Sequence, residues 1–278
     1  MKRTITARDL ENFRDHLLRE EKSAATQEKY LRDAGRFLDF ASGRPVTKEL
    51  TISYKQTLVE QNYAVRSVNS MLAGLNSFLS FLGLADCKVK ILRCQRQTYC
   101  PEELQLTKGE YQRLLAASGK QSQLNLVLQT ICSTGIRISE LRYFTVEGVR
   151  YGEVSVRCKS KTRRILVPGK LKRMLLDYAK SCHITTGTIF RSRTGNPLDR
   201  SNIWSRLKKL CQAAGVKPSK VFPHNLRKLF ARTFYRNEKD ISKLADILGH
   251  GSIETTRIYI MTTGTEHRRK MERLGLIL

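Results

Sequence analysis

This 278-residue sequence has no long apolar runs, no regularly spaced cysteine pairs and few acidic residues. No apolar run approaches the roughly 20 residues of a membrane-spanning helix. The basic N-terminal segment is not followed by the apolar stretch of a secretory signal. The seven cysteines are an odd number without a CxxC pair, so we expect neither a disulfide framework nor a zinc site. A cytoplasmic protein without membrane contact is the resulting expectation.

Acidic residues are outnumbered, since 51 Lys and Arg face 25 Asp and Glu and give a formal net charge of +26. Such an excess is typical of proteins that bind a polyanion, and nucleic acid is the first candidate. The charge is uneven along the chain. Residues 1–100 hold 17 basic and 11 acidic residues, whereas residues 101–278 hold 34 and 14. We expect the second part of the chain to make most of the electrostatic contacts.

Hydrophobic periodicity predicts two domains, mainly α-helical with a small β-sheet. Residues 1–86 show helical spacing behind candidate caps at Thr26 and Ser67, which predicts a bundle of about four helices. Residues 87–103 are basic, lack a clear period and contain Pro101, as expected of a linker. Residues 104–278 form the second domain. Its helices are predicted at 107–118, 121–133, 138–144, 170–180, 200–214, 224–236, 240–249 and 252–261.

The period changes to two residues in EVSVRCKSKTRRILVP, at positions 153–168. Val154 and Val156 alternate with polar residues, and Ile165 and Val167 follow a polar turn. This pattern predicts a β-hairpin with a lysine-rich tip.

The segment FPHNLRKLFARTFY starts a helix at Pro223 and brings His224 and Arg227 to one face, with Leu226 and Leu229 on the other. We expect the His and the Arg to point outward together, one turn apart, where they could hold an anionic oxygen. Solvated cations on a capped amphipathic helix explain the same pattern.

A helix closed by glycine is predicted in DISKLADILGHGSIETTRIYI, followed by His250 in the turn and a second helix that begins at Ser252 and carries Tyr259. The turn brings His250 near that second helix. Taken alone, Tyr259 fits an ordinary core or interface position as well.

In TICSTGIRISELRYF, Arg137 lies between Ile136 and Ile138, and partial burial is expected for it. A buried guanidinium needs an anion. Glu140, three residues later, could supply that anion, and so could a bound phosphate.

These four motifs, in this order and spacing, resemble the tyrosine recombinase or phage integrase family. The matching pieces are TGIRISEL, the lysine-tipped hairpin, PHNLR and LGHGSIETTRIYI. The N-terminal bundle is similar to the SAM-like core-binding domain of that family, and the chain resembles its compact Xer-like or transposon-type members. One departure lies at the hairpin tip, where the family usually has a glycine beside its catalytic lysine and this sequence reads Cys158, Lys159, Ser160, Lys161.

The resemblance implies a site-specific recombinase that needs no metal or nucleotide cofactor. It cuts DNA through a 3′-phosphotyrosine at Tyr259, with His224 moving the tyrosine proton. Lys159 is the implied general acid, counted back from the paired Arg163 and Arg164, and Lys161 is the alternative. The implied site residues are Arg137, Lys159, His224, Arg227, His250 and Tyr259.

The implied partners are a double-stranded DNA recombination site and further copies of the chain in a tetramer on DNA, together with any accessory DNA-binding factors. The tail after Gly264 has helical apolar spacing and is implied to dock on a neighbouring protomer, although docking on its own domain is the alternative. Two other functions compete. A type IB topoisomerase uses similar chemistry, and a non-catalytic DNA-binding regulator would explain the charge alone.

Overall fold

The computed structural model describes residues 3–94, 99–120, 122–158 and 161–276, without the side chains of Cys158 and Lys161. The chain divides into two compact units, Met1–Arg96 and Gln97–Leu278. The narrower limits 1–86, 87–103 and 104–278 that we expect for the domains and their linker stay a prediction.

The first unit is a bundle of four α-helices within its described residues, as predicted. Two of them begin earlier than expected, because Ser23 rather than Thr26 precedes α2, and Ala64 rather than Ser67 precedes α4. The helices are α1 (Ala7–Arg19), α2 (Ala24–Ala41), α3 (Lys48–Glu60) and α4 (Val65–Phe81).

Aromatic side chains fill the core of this bundle. Phe13, Phe37 and Phe78 are completely buried, and the rings of Phe13 and Phe78 lie 5.0 Å apart. Burial of each such side chain contributes about 2–3 kcal/mol to folding. Helices α2 and α4 approach closely at Gly74, where a Cβ atom would lie 2.9 Å from a carboxylate oxygen of Asp33. The small residue in α4 therefore sets the packing distance.

The second unit contains nine further helices and one hairpin among its described residues. Short 3₁₀ turns join them at Glu102–Leu104, Ile138–Tyr143 and Pro218–Lys220. The elements are α5 (Lys108–Ala117), α6 (Gln123–Thr134), α7 (Val146–Tyr151), β1 (Glu153–Cys158), β2 (Lys161–Leu166), α8 (Gly169–Ser181), α9 (Arg200–Ala213), α10 (Pro223–Glu238), α11 (Ile241–Leu248), α12 (Ile253–Ile260) and α13 (Gly264–Glu272).

The predicted hairpin is present. Strands β1 and β2 pair antiparallel, with Val154 opposite Ile165 and Val156 opposite Arg163. Because side chains on a strand alternate between faces, Arg163 shares the inward face of its strand with the buried Ile165. An arginine therefore occupies a position that the alternation reserves for an apolar residue.

Two local features differ in detail from the prediction. The helix expected at 138–144 is present as a 3₁₀ helix, Ile138–Tyr143, in which the Glu140 carboxylate accepts a hydrogen bond from the Arg137 backbone N–H at 2.7 Å. Helix α7 was not predicted. It has six residues and begins behind a Thr145 cap, too short a segment to show a period.

Helices α10, α11 and α12 carry two of the four motifs, PHNLR and LGHGSIETTRIYI. Helix α10 begins at Pro223, as predicted, and Gly249 closes α11 with a φ of 62°. Ser252 caps α12 through the N–H of Glu254 at 3.2 Å. The turn from α11 to α12 is short, so α12 folds back onto α10. No helix in the described part of the chain is both long and apolar enough to cross a membrane.

Candidate active site

Arg227 is buried, which corrects our expectation that it points outward from α10. Its exposure is 1 %, although His224 on the same face is exposed. The helical wheel of α10 is as predicted, but α11 and α12 pack over this face and enclose the guanidinium with a small apolar cluster that includes Leu248 and Tyr259. The sequence of α10 alone carries no information about that cover.

Two backbone carbonyl oxygens hold the Arg227 guanidinium. Nη1 donates to the carbonyl of Gly135 and Nη2 to that of Leu248, at 2.5 and 2.6 Å. Both carbonyls lie at helix ends, where the last C=O groups have no partner within the helix. Gly135 and Gly249 provide the left-handed backbone that ends α6 and α11. The arginine thus joins two helix ends and has a fixed orientation before any ligand arrives.

His250 has a defined tautomer. Its Nε2 lies 3.0 Å from Nη2 of Arg227, and its Nδ1 lies 2.9 Å from Oγ1 of Thr256. A guanidinium can only donate, so Nε2 must be the unprotonated acceptor, and Nδ1–H then donates to the threonine hydroxyl. Thr256 is completely buried, which leaves its hydroxyl directed at the histidine. A hydroxyl can also donate, so Thr256 is compatible with the other tautomer as well.

Tyr259 lies among these groups and is 7 % exposed. Its ring is 4.9 Å from the ring of His224 and 4.7 Å from that of His250, in edge-to-face geometry. The Arg227 guanidinium lies 5.8 Å from the ring centre. The hydroxyl is 3.4 Å from Nδ1 of His224, a long contact of the kind that shortens when a substrate binds.

Desolvation and clustered positive charge favour the neutral forms of both histidines. Desolvation, followed by repulsion from Arg227 and Arg137, lowers the pKa of His250 to about 4. Desolvation and the charge of Lys228 lower the pKa of His224 as well. Desolvation, with Arg137 second, lowers the pKa of Arg227 to about 10, so that arginine still carries its charge at neutral pH. Crowded cations of this kind form a site for an anion.

Arg137 is more accessible than Arg227, with 36 % of its side chain exposed. Its Nη1 donates to Oε1 of Glu140 at 3.0 Å, and its Nη2 donates to the carbonyl of Gly249 at 3.3 Å. Of the two anions considered for Arg137, Glu140 is therefore present, and the outward N–H groups are still open to a phosphate. The Gly249 contact connects Arg137 to the turn that carries His250.

The structure brings together four of the predicted residues with Arg137 at their edge, whereas Lys159 lies outside the described residues. The side chain of the alternative, Lys161, is outside that description too. Tyr235 is the tyrosine at the end of the FPHNLRKLFARTFY segment. It lies eight residues beyond Arg227 on α10, about 12 Å along the helix axis, and the Lys239 ammonium is 5.8 Å from its ring. The four residues that meet are His224, Arg227, His250 and Tyr259.

Two residues that contact the site were not predicted as part of it. Thr256 precedes Tyr259 by three positions in ETTRIY, where two adjacent threonines look alike in sequence. Arg163 served only as a reference point for counting along the hairpin, yet it reaches Glu140 at 2.6 Å. In the sequence, Arg163 could be noticed only as a charged residue at a position of the strand that faces the core. Its pairing with Val156 of β1 confirms that position.

Known families match both units of the chain. Residues 105–265 match the phage integrase family, over more than half of the sequence. Residues 10–85 match the N-terminal SAM-like domain of phage integrases. The chain belongs to the phage integrase family.

The chain is similar to tyrosine recombinases over most of their length. The chain is 27 % identical to the tyrosine recombinase XerA of Pyrococcus furiosus, covering 99 % of this chain and 96 % of the relative. It is 28 % identical to the tyrosine recombinase XerD of Halalkalibacterium halodurans, covering 87 % and 89 %. The predicted family, and with it the function of a site-specific recombinase that breaks and rejoins DNA, is confirmed.

Solved structures confirm the predicted fold class. A lambda integrase dimer bound to a core site has a TM-score of 0.74 at 17 % identity and covers 94 % of this chain and 97 % of its own. The Tn1549 transposon integrase in complex with transposon right-end DNA has a TM-score of 0.70 at 14 % identity, covering 96 % and 99 %. At these identities the likeness establishes a shared fold and leaves the residue roles open.

Proposed function

We propose that this chain cleaves and rejoins DNA at a specific site through a covalent bond between Tyr259 and a 3′ phosphate. One observation supports the assignment above the others: the Tyr259 hydroxyl lies 3.4 Å from a histidine nitrogen, within a cluster that also holds Arg227 and His250. A nucleophile next to a base and beside fixed cations is the arrangement that attack on a phosphodiester requires.

In the cleavage step, Oη of Tyr259 attacks the scissile phosphorus and its proton passes to His224. The P–O5′ bond breaks, and a lysine of the hairpin gives a proton to the departing 5′ oxygen. His224 suits the role of acceptor because desolvation and nearby cations lower its pKa and keep the imidazole neutral. The phosphate ester is retained in the intermediate, so the reverse attack by a 5′ hydroxyl rejoins the strand without an energy source.

The two arginines would stabilise the phosphate as its non-bridging oxygens gain negative charge. Arg227 brings a preoriented charge to the site, and Arg137 brings a half-exposed fork with N–H groups available for bidentate contact. His250 would donate from Nε2 after changing its tautomer, because Thr256 can then donate its hydroxyl proton to Nδ1. These roles for His250 and Thr256 are assigned together.

The general acid is proposed to be Lys159, with Lys161 as the alternative. Replacing the scissile 5′ oxygen by sulfur gives a leaving group that needs no proton, so this substrate separates the two residues. Lys159→Ala should cleave ordinary DNA poorly and recover on the sulfur substrate. If Lys161→Ala shows that behaviour instead, the assignment passes to Lys161.

The partners of the family members carry over to this proposal. Lambda integrase has been solved as a tetramer bound to a Holliday junction, with a TM-score of 0.74 to this chain. We propose that this chain likewise assembles as a tetramer on two DNA sites and acts in the cytoplasm. Its net charge of +26 supplies the attraction to phosphates, and binding should weaken steeply with salt.

Two assays separate the proposal from its two rivals. The protein is incubated with a nicked DNA duplex that carries its target site. Cleavage then releases a short fragment with the 5′ hydroxyl, so the strand cannot be rejoined and the covalent complex accumulates. A heat-stable adduct on a denaturing gel is expected, whereas a non-catalytic regulator gives none. Supercoiled DNA without paired sites tests the topoisomerase alternative, because only a topoisomerase relaxes it as a monomer.

A further inference from the structure

Arg163 is an arginine in a core-facing position of strand β2. It pairs in register with Val156, which is completely buried, and only 15 % of its side chain is exposed. A guanidinium taken out of water needs compensating acceptors, since leaving it unpaired strongly destabilises a fold. An apolar side chain would fit this core-facing position without any hydrogen-bond acceptor. The presence of an arginine here therefore indicates a role that an apolar side chain could not perform.

The acceptors of Arg163 belong to the active site. Nη2 donates to Oε2 of Glu140 at 2.6 Å, and Nη1 donates to the backbone carbonyl of Ile247 in the last turn of α11. Glu140 is 3 % exposed, and its other oxygen, Oε1, accepts from Nη1 of Arg137 at 3.0 Å. One buried carboxylate is thus shared between two arginines, of which only Arg137 faces the solvent.

The backbone beneath Arg163 also leads to Arg137. Gly249 has a φ of 62°, and a Cβ atom there would lie 2.7 Å from Cδ of Arg163. The carbonyl of the same Gly249 accepts from Nη2 of Arg137. A glycine is therefore needed at this point for conformation and for space, and Arg163 lies directly against the peptide that receives Arg137.

We propose that Arg163 is a positioning residue for Arg137, acting through Glu140; this inference rests on the proposed function. By occupying Oε2 together with the backbone N–H of Arg137, Arg163 limits the Arg137 guanidinium to Oε1 and neutralises the buried charge. The remaining N–H groups and the full charge of Arg137 then face the phosphate. Without Arg163, both carboxylate oxygens attract Arg137, and its fork turns inward, away from the substrate.

The neighbouring Arg164 provides a matched control. It lies on the same strand with 77 % of its side chain exposed, and its ion pair with Glu153 measures 3.6 Å. Substitution of Arg164 removes the same charge from the same hairpin without touching Glu140. A difference between the two positions therefore reports on the buried network and not on total charge.

The test compares Arg163→Met with Arg164→Met on three nicked substrates: ordinary DNA, a methylphosphonate at the scissile position, and a 5′-bridging phosphorothioate. On ordinary DNA, Arg163→Met should form the adduct about 10- to 100-fold more slowly than wild type, as expected when the support of an active-site group is lost. The methylphosphonate lacks one charged oxygen and relies less on Arg137, so the defect should shrink to a few-fold. Sulfur substitution should leave the defect unchanged.

Other outcomes contradict the inference in distinct ways. A defect rescued by sulfur would assign Arg163 to the hairpin lysine, and an equal defect on all three substrates would indicate a purely structural role. Combining Arg163→Met with Glu140→Gln should slow cleavage no more than the stronger single variant, because both act on one network. Additive losses would overturn the proposal. Failure of the wild-type protein to form any adduct would instead reject the proposed function.

If Arg163→Met does not fold, Arg163→Lys keeps the charge and loses the planar fork. It should show the same substrate pattern with a smaller defect. Thermal melting and half-site binding of each variant show whether it is folded before its cleavage rate is compared with that of the wild-type protein. The proposal would also be overturned if folded Arg163→Lys cleaved at the wild-type rate and Arg137→Ala slowed that variant as much as it slows the wild-type protein.

Discussion

Arg227 donates a hydrogen bond to Nε2 of His250 at 3.0 Å, and this single contact determines which nitrogen of the histidine carries the proton. Because the guanidinium has no acceptor, the proton must be on Nδ1, facing Thr256. The site therefore holds His250 in the tautomer whose Nε2 accepts. Donation to a phosphate requires a tautomer change, and the threonine hydroxyl is the group that permits it.

The first prediction concerns Thr256. Thr256→Val keeps the shape of the side chain and removes the hydroxyl, so Nδ1 of His250 loses its partner and the tautomer change is impaired. We expect cleavage to slow by about 10-fold or more, as for loss of one preoriented donor. Thr256→Ser restores the hydroxyl and should stay within a few-fold of wild type. Single-turnover adduct formation measures both. Equal rates for the two variants would remove Thr256 from the mechanism.

Tyr259→Phe should bind target DNA almost normally and form no covalent adduct, because only the phenolic oxygen is lost. Tyr235→Phe is the matched control on α10 and should cleave like wild type. Mobility shift measures binding, and a denaturing gel measures the adduct. An adduct formed by Tyr259→Phe would mean that another tyrosine attacks.

The two arginines should differ in their effect on stability. Arg137→Ala and Arg227→Ala should both slow cleavage by roughly 10²-fold or more, since each removes a donor to developing negative charge. Arg227 is buried between two carbonyls, so its loss should also lower the free energy of unfolding by about 2–4 kcal/mol. Arg137 is 36 % exposed and should lower it much less. Urea denaturation compares them, and equal destabilisation would contradict the burial of Arg227.

Stability should fall with acid through His250. Its pKa is lowered from 6.5 to about 4 in the folded state, so below pH 6.5 the unfolded chain binds a proton that the folded chain resists. The stability contributed by neutral His250 is complete above pH 6.5 and is lost progressively as the pH falls toward 4. His250→Gln should have a shallower decline of melting temperature over this window. Parallel curves for the two proteins would show that His250 is not the group responsible.

The tail should connect protomers. Met271, Leu274 and Leu276 are 59, 65 and 83 % exposed, so the apolar side of α13 and the residues after it are uncovered within one chain. Deletion of residues 265–278 should leave binding to a single half-site largely intact and abolish cooperative occupancy of paired sites. Band-shift titrations on one and two half-sites measure this. Wild-type recombination by the truncated protein would exclude the tail as the link.

The sequence by itself determined the helical bundle, the hairpin and the four motifs, because each depends on residues close together in the chain. The period of α10 and the glycine stop before His250 are local features of this kind. Family resemblance then supplied the identities of the six site residues, whose roles the tests above address.

Only the tertiary structure decided which of these groups are enclosed and who their partners are. Arg227 was expected to face outward, and it is buried because α11 and α12, more than ten residues later, cover it. The Glu140 carboxylate meets Arg163 across 23 residues, and His250 meets Arg227 across the same number. Such contacts arise when separate elements pack, and the periodicity of any one segment describes its own faces without specifying what those faces meet.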